Sequence, residues 1–163
     1  MTIPYCNRSA SVLLMLLGML GLSACGDGRS VGVERAEGEV SYLRWCASCH
    51  GQAGEGRPPS FPPLAGSEWL ELPDEALALI VLHGLRGPIE VAGRSYRGYM
   101  PPMQHIADED IALILRYTLA TWGSRESTLD AAAVAGLRTA LADDQRGPLV
   151  GLEGLEAALE RLR

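Results

Sequence analysis

The chain has 163 residues, no lysine, 14 arginines against 20 Asp plus Glu, and a net charge of −6. That length suits one domain with an appendage, and the acidic balance excludes charge-driven binding to nucleic acid or to anionic lipid. With 19 Gly, 10 Pro and a single Phe, the chain is expected to be rich in loops and to lean on something besides its own core.

Taken from the start, Arg8 gives a weakly positive leader and Val12 to Leu22 is apolar, broken only by Gly18 and Gly21. This run is too short to span a bilayer comfortably and reads as a signal peptide over residues 1–24, with Cys6 in the discarded part. Leu22-Ser23-Ala24-Cys25 follows and resembles the lipobox of bacterial lipoproteins. In that family the Cys becomes the first mature residue and carries the lipid. The resemblance implies lipidation at Cys25, anchorage to a bacterial membrane through acyl chains, and a domain facing the periplasm. The alternative is ordinary secretion with cleavage near Ala24. Residues 26–34, "GDGRSVGVE", hold three Gly and little apolar content, so 25–34 is expected to be a flexible tether.

Cys46-Ala47-Ser48-Cys49-His50 is the C-x-x-C-H haem-attachment sequence. Two thiols at this spacing add to the two vinyl groups of one haem, and the adjacent His lands under the iron. A thioredoxin-like dithiol would need a strand before the motif. A zinc site would need a second Cys pair, and no cysteine follows Cys49. Cys46, Cys49 and His50 are therefore the candidate cofactor-binding residues, with His50 a metal ligand and one covalent haem c the cofactor. Export fits, because c-type haem is attached outside the cytoplasm.

Helical periodicity flanks the motif. In "EVSYLRWCASC", residues 39–49, Val40, Leu43, Cys46 and Ala47 fall at helical spacing. The segment resembles the N-terminal helix of class I cytochromes c, with Gly38 and Tyr42 where that family has a Gly and an aromatic. Asp74 to Leu82 reads as a further helix with Asp74 as N-cap, ended by His83-Gly84. Asp110 to Trp122 is another, with Asp108 as N-cap, Glu109 and Asp110 in its first turn, and an apolar face of Ile111, Ile114, Leu115 and Thr118 continued by Leu119 and Trp122. In class I cytochromes this helix crosses the N-terminal one beside the Gly. The family also has a Pro whose carbonyl accepts the Nδ1–H of the haem histidine; Pro62 or Pro63 is the counterpart.

"YMPPMQH", residues 99–105, holds three further possible ligands: Met100, Met103 and His105. Met100 precedes a proline and is pushed to an extended backbone. The stiff Pro101-Pro102 spaces the two methionines about 9 Å apart, too far for one iron to take both. The string from Gly84 to Gly123 resembles small bacterial cytochromes c with a Y-x-x-x-M-P loop, matched by Tyr96 and Met100, and a helix opening matched by 108–112. The resemblance implies Met100 as the sixth iron ligand, Met103 as a packing residue, and His105 as a solvated loop residue; His83 reads as a helix-end residue. It covers roughly Glu34 to Trp122, with a weaker echo over Asp130 to Arg138. The absence of lysine removes any lysine-based docking surface. Arg86, Arg94 and Arg97 flank the Met loop and offer local positive charge, or merely a solvated loop. Tyr96, Tyr99 and Trp69 are candidate hydrogen-bond donors to a haem propionate.

The expected fold is all-α: a class I cytochrome c domain over 35–123, three to four helices around one covalent haem, and a helical extension over 124–163. In the extension, Ser127 to Ala142 reads as one helix, Asp143-Asp144 and Gly147-Pro148 as a break, and Leu152, Leu155, Leu159 and Leu162 as a second amphipathic stripe. These helices are expected to fold back on the domain; a docking helix is the other reading. The function implied is a one-electron carrier, not an enzyme, in a periplasmic respiratory chain. Its partners would be an upstream dehydrogenase or quinol-oxidising complex and a downstream reductase or oxidase. Competing readings are a haem enzyme or ligand sensor with a labile Met100, in which His105 or Arg97 serves as distal acid–base, and a fixed electron-transfer subunit of a larger complex.

Overall fold

The computed structural model describes residues 27–141 and 147–163, with side chains from Gly32 onward. The expected signal peptide, Cys25 and the break at Asp143-Asp144 lie outside the described residues. No helix among the described residues is long and apolar enough to cross a membrane.

Among the described residues six α-helices carry the fold: α1 (Asp27–Trp45), α2 (Ala47–His50), α3 (Asp74–His83), α4 (Asp108–Trp122), α5 (Ala131–Ala140) and α6 (Gly151–Glu160). Helix α1 crosses α4 at Gly38, where an added Cβ would meet the Leu113 carbonyl oxygen at 2.5 Å and Tyr117 Cβ at 2.8 Å. The crossing is filled by three aromatic rings. Tyr42 lies 5.6 Å from Tyr117 and 5.1 Å from Trp122, centroid to centroid, in tilted and edge-on arrangements that ring quadrupoles favour. Helices α3, α4, α5 and α6 enclose the main core, built around Leu79, Leu82, Ile111, Leu119, Val134 and Leu155.

The helical expectation holds, but short strands join it. The strands are β1 (Leu85–Arg86), β2 (Ile89–Val91), β3 (Arg94–Tyr96), β4 (Tyr99–Met100) and β5 (Leu149–Val150). β2 and β3 form a hairpin whose two-residue turn, Ala92-Gly93, has positive φ at both positions, the backbone such tight hairpins need. The other sheet runs β4-β1-β5. Leu85 pairs with Met100 antiparallel and with Leu149 in parallel. The C-terminal segment therefore returns to the domain as a strand and then as α6.

Several local expectations are corrected. The backbone is helical from Asp27, so the described part of the expected flexible tether is the first two turns of α1, and Glu34 within it is tied to Arg116 at 3.0 Å. The buried face of α1 lies about one residue away from its expected place. Val40 and Leu43 are exposed, whereas Gly38, Ser41 and Tyr42 are buried. Ser41 is tolerated there because its hydroxyl donates to Asp110 Oδ1 at 2.6 Å. Neither Asp74 nor Asp108 is an N-cap: Pro73 and Ala107 hold those positions without side-chain caps. Both carboxylates bind arginines instead, Asp74 with Arg125 and Asp108 with Arg138. Helix α5 starts at Ala131, four residues later than expected, because Asp130 caps it by accepting from the Ala133 amide at 2.8 Å.

Candidate functional site

The C-x-x-C-H segment leaves α1 as one tight turn, α2. Tyr42 fixes its exit: the phenol donates to the Gly51 carbonyl at 2.6 Å. This presents Cys46, Cys49 and His50 toward the space between α1, α3, α4 and the loops. Cys46 and Cys49 form no disulfide. Burial, then the neighbouring Cys49, pushes the Cys46 thiol up to about 12. A reactive dithiol needs the opposite shift, so the redox-dithiol reading finds no support here.

The His50 ring is oriented by the chain that follows it. Its Nδ1 stands 2.9 Å from the Pro62 carbonyl oxygen. An N–H donated there makes Nε2 the free, ligand-competent nitrogen. Of the two prolines considered from sequence, Pro62 makes the contact. Burial lowers the His50 pKa below its ordinary value, against the opposing effect of the Pro62 hydrogen bond. Burial thus favours the neutral ring, the state that binds metal.

Two adjoining apolar cavities share His50, Pro62, Leu85, Ile89 and Met100 on their walls. Cys46 lines one and Cys49 the other. Met100 enters from β4, so the residues that the sequence singles out meet around a single space. Met103 and His105 line neither cavity. Met103 packs on the main core and donates its amide to the Val81 carbonyl at 3.0 Å. The exposed His105 ring lies edge-on to Trp45, 5.3 Å between centroids. Arg97 also lines neither cavity, so neither residue offered as a distal acid–base is at the site. His83 ends α3, buried and away from both cavities.

Trp69 lines the second cavity, but its indole N–H already donates to the Glu90 carbonyl at 2.8 Å. Buried Tyr96 and exposed Tyr99 line the first. The distant walls, Leu77, Ile80, Val81 and the hairpin residues Ile89 and Val91, are not singled out by the sequence. The Ile-Glu-Val alternation before Ala92-Gly93 is the signal that would have found the hairpin.

An oriented histidine beside two cysteines, sharing with a methionine two apolar cavities whose walls hold no carboxylate, fits a covalently attached haem. The family model described as "Cytochrome C oxidase, cbb3-type, subunit III" matches residues 33–117. The chain belongs to the c-type cytochromes. Cytochrome c-552 of Thermus thermophilus is 40% identical over 114 residues, 68% of this chain and 82% of that relative. Cytochrome c-552 of Thermus thermophilus strain ATCC 27634 shows the same identity over 114 residues, 72% of its length. This cytochrome carries one covalently bound haem c and is a monohaem electron carrier. The matched span ends inside α4 and includes Met100.

Proposed function

We propose that this cytochrome is a class I, His50/Met100-ligated outer-sphere carrier, tethered by lipid at Cys25 and facing the periplasm, where it shuttles single electrons in a respiratory chain. The observation that carries the ligation is that His50 and Met100 share both cavities, each held by backbone: His50 through Pro62 and Met100 through the sheet. Haem c, when bound, supplies a reversible one-electron iron centre, and a thioether ligand raises its potential. Cys46 and Cys49 would hold the macrocycle, and His50 and Met100 would ligate its iron, a set that would leave no site open to oxygen or peroxide. The absence of any carboxylate from the cavity walls supports a carrier over an enzyme. Cys25 lies outside the described residues, and the tether rests on the lipobox resemblance.

The test is the optical spectrum of the haem-loaded protein, wild type beside Met100→Ala and Met103→Ala. The weak ferric band near the red edge reports sulfur–iron ligation. Its loss in Met100→Ala alone supports the reading. A wild type that lacks the band and binds carbon monoxide readily would replace the carrier with an enzyme or sensor. A second reading, a fixed electron-transfer subunit of an oxidase, is favoured by the description of the matched family. It keeps the same chemistry and would be revealed by stable co-purification with an oxidase.

A further inference from the structure

The sheet that holds Met100 has a second face. Arg86 lies opposite Tyr99 in β4 and opposite Val150 in β5. Directly opposed residues share a face of a sheet. Leu85 and Leu149 are buried, so Tyr99, Arg86 and Val150 form a row on the exposed side of the sheet, and Tyr99 and Arg86 also reach the wall of the first cavity. Tyr99 is 57% exposed, Val150 48%, and Leu152, two residues further on, 47%. Arg86 stands between Tyr99 and Val150, and exposed apolar groups rimmed by polar ones mark interaction surfaces.

Arginines rim the row. Arg57 bridges to Phe61, which lines the first cavity. A Cβ on Gly98 would lie 2.4 Å from the Ser60 carbonyl oxygen, so the Arg97-Gly98 backbone runs against the 57–61 loop. Arg94 stands at the hairpin turn. The side chains of Arg57, Arg86, Arg94 and Arg97 are all exposed and make no hydrogen bond, ion pair or ring contact among the described residues. By contrast Arg116, Arg125, Arg138 and Arg163 each hold a carboxylate. Two carboxylates adjoin the hairpin: Glu90, which accepts from the Ser95 hydroxyl, and Glu68, which accepts from the Ala92 amide. Neither is ion-paired with these arginines, and no carboxylate lines the first cavity, whose wall includes Cys49, Arg86 and Tyr99. An acidic chain has thus gathered four arginines without ion-pair partners around the first cavity, where its redox site approaches solvent.

We propose that the Tyr99–Arg86–Val150 row, extended by Leu152 and rimmed by Arg57 and Arg97, docks an acidic redox protein, with the C-terminal segment supplying the apolar half of the surface. This rests on the carrier reading and names the chemistry of the partner. An aromatic and aliphatic centre with an arginine rim is the composition of protein interfaces. The complementary charge steers encounter, a benefit that salt removes.

Full-length, haem-loaded, reduced protein is mixed with ferricyanide and, separately, with cationic tris(phenanthroline)cobalt(III). One electron leaves iron(II) for the oxidant, giving iron(III) and ferrocyanide or cobalt(II); no bond to the oxidant forms. Local charge predicts that the ferricyanide rate falls as salt rises, despite the net charge of −6. The double variant Arg57→Glu/Arg97→Glu should slow ferricyanide about tenfold at low salt and quicken the cobalt oxidant, with ferric and ferrous spectra unchanged. Polyglutamate, a stand-in for an acidic partner, is then titrated into the ferrous protein. Amide NMR shifts should gather on residues 86, 97, 99, 150 and 152, and be lost in the double variant and in Val150→Asp. A ferricyanide rate that rises with salt, or polyglutamate shifts scattered elsewhere, overturns the docking surface alone. A protein that cannot be cycled between ferrous and ferric forms defeats the carrier reading and the docking surface together.

Discussion

Gly84 lies against Met100: a Cβ on Gly84 would stand 2.3 Å from the Met100 carbonyl oxygen. The glycine also adopts φ +73°, a backbone region that L side chains enter only under strain. Its carbonyl accepts the Leu149 amide at 3.0 Å, so one residue joins the end of α3, the strand bearing the sixth-ligand candidate, and the C-terminal segment. Gly84→Ala should therefore displace β4 and destabilise the fold by about 1–3 kcal/mol. If Met100 is the ligand, the sulfur–iron band should weaken in the same variant. An unchanged band with unchanged stability would show that β4 adapts without moving its methionine.

Gly38 carries a separate prediction at the other end of the site. With Leu113 backbone and Tyr117 Cβ both inside 3 Å of an added methyl, Gly38→Ala must push α1 away from α4. Overpacking of this kind costs about 1–3 kcal/mol. The shift would also disturb Tyr42, whose phenol holds the Gly51 carbonyl beyond the haem motif. Denaturant titration of the haem-loaded variant should show a lowered midpoint with an unchanged slope. Wild-type stability would mean that the crossing has slack the rings do not suggest.

How legible these features are follows from their range in sequence. Cys46, Cys49 and His50 form one contiguous chemical pattern, and Met100 sits in a short loop beside prolines that restrict it. The periodicity of α4 is readable from adjacent turns. By contrast, Ser41 is buried only because Asp110, 69 residues away, satisfies it. Asp74 and Asp108 look like caps because capping is local, yet each is claimed by an arginine from the C-terminal third. The pairing of β1 with β5 joins residues more than 60 positions apart, through strands of two residues that have no period to read. The hairpin turn is in principle visible, since Gly93 follows an apolar alternation, but its partner Ala92 gives no hint that it adopts φ 49°.

Asp74 and Arg125 anchor the C-terminal extension. Arg125 donates to Asp74 Oδ1 at 2.5 Å and to the Leu72 and Leu70 carbonyls at 2.6 and 3.1 Å, while Ser127 donates to Asp74 Oδ2 at 2.5 Å. Burial pushes the Asp74 carboxyl up, but the hydrogen bonds of Ser127 and Arg125 and the Arg125 charge hold it below its ordinary value. A depressed carboxylate contributes stability that is present above its unfolded pKa, near about 3.9, and lost as pH falls through the folded value. Arg125→Ala should cost about 2 kcal/mol at neutral pH and flatten the acid limb of the stability profile below about pH 4. A parallel shift of the whole profile, its acid limb intact, would assign that limb to other carboxylates.

His83 should act in a different pH window. The ring is 2% exposed and neither nitrogen has a hydrogen-bond partner among the described residues. Burial, then the charges of Arg138 on α5 and Arg161 beyond α6, lowers its pKa. The unfolded chain takes up a proton near about pH 6.5, whereas the folded ring resists it. Protons therefore favour the unfolded state, and the stability present above about pH 6.5 is lost as pH falls through the folded value. Urea titrations of the haem-loaded protein at about pH 7.5 and about pH 5 should show this loss in the wild type and a smaller one in His83→Leu, which keeps the site apolar. Because α5 and α6 both pack on α3, which this ring ends, the first amides to exchange faster in mild acid should be those of α5 and α6. Equal pH slopes for wild type and His83→Leu would mean that the ring is protonated in the folded protein without penalty, and that the extension is held independently of it.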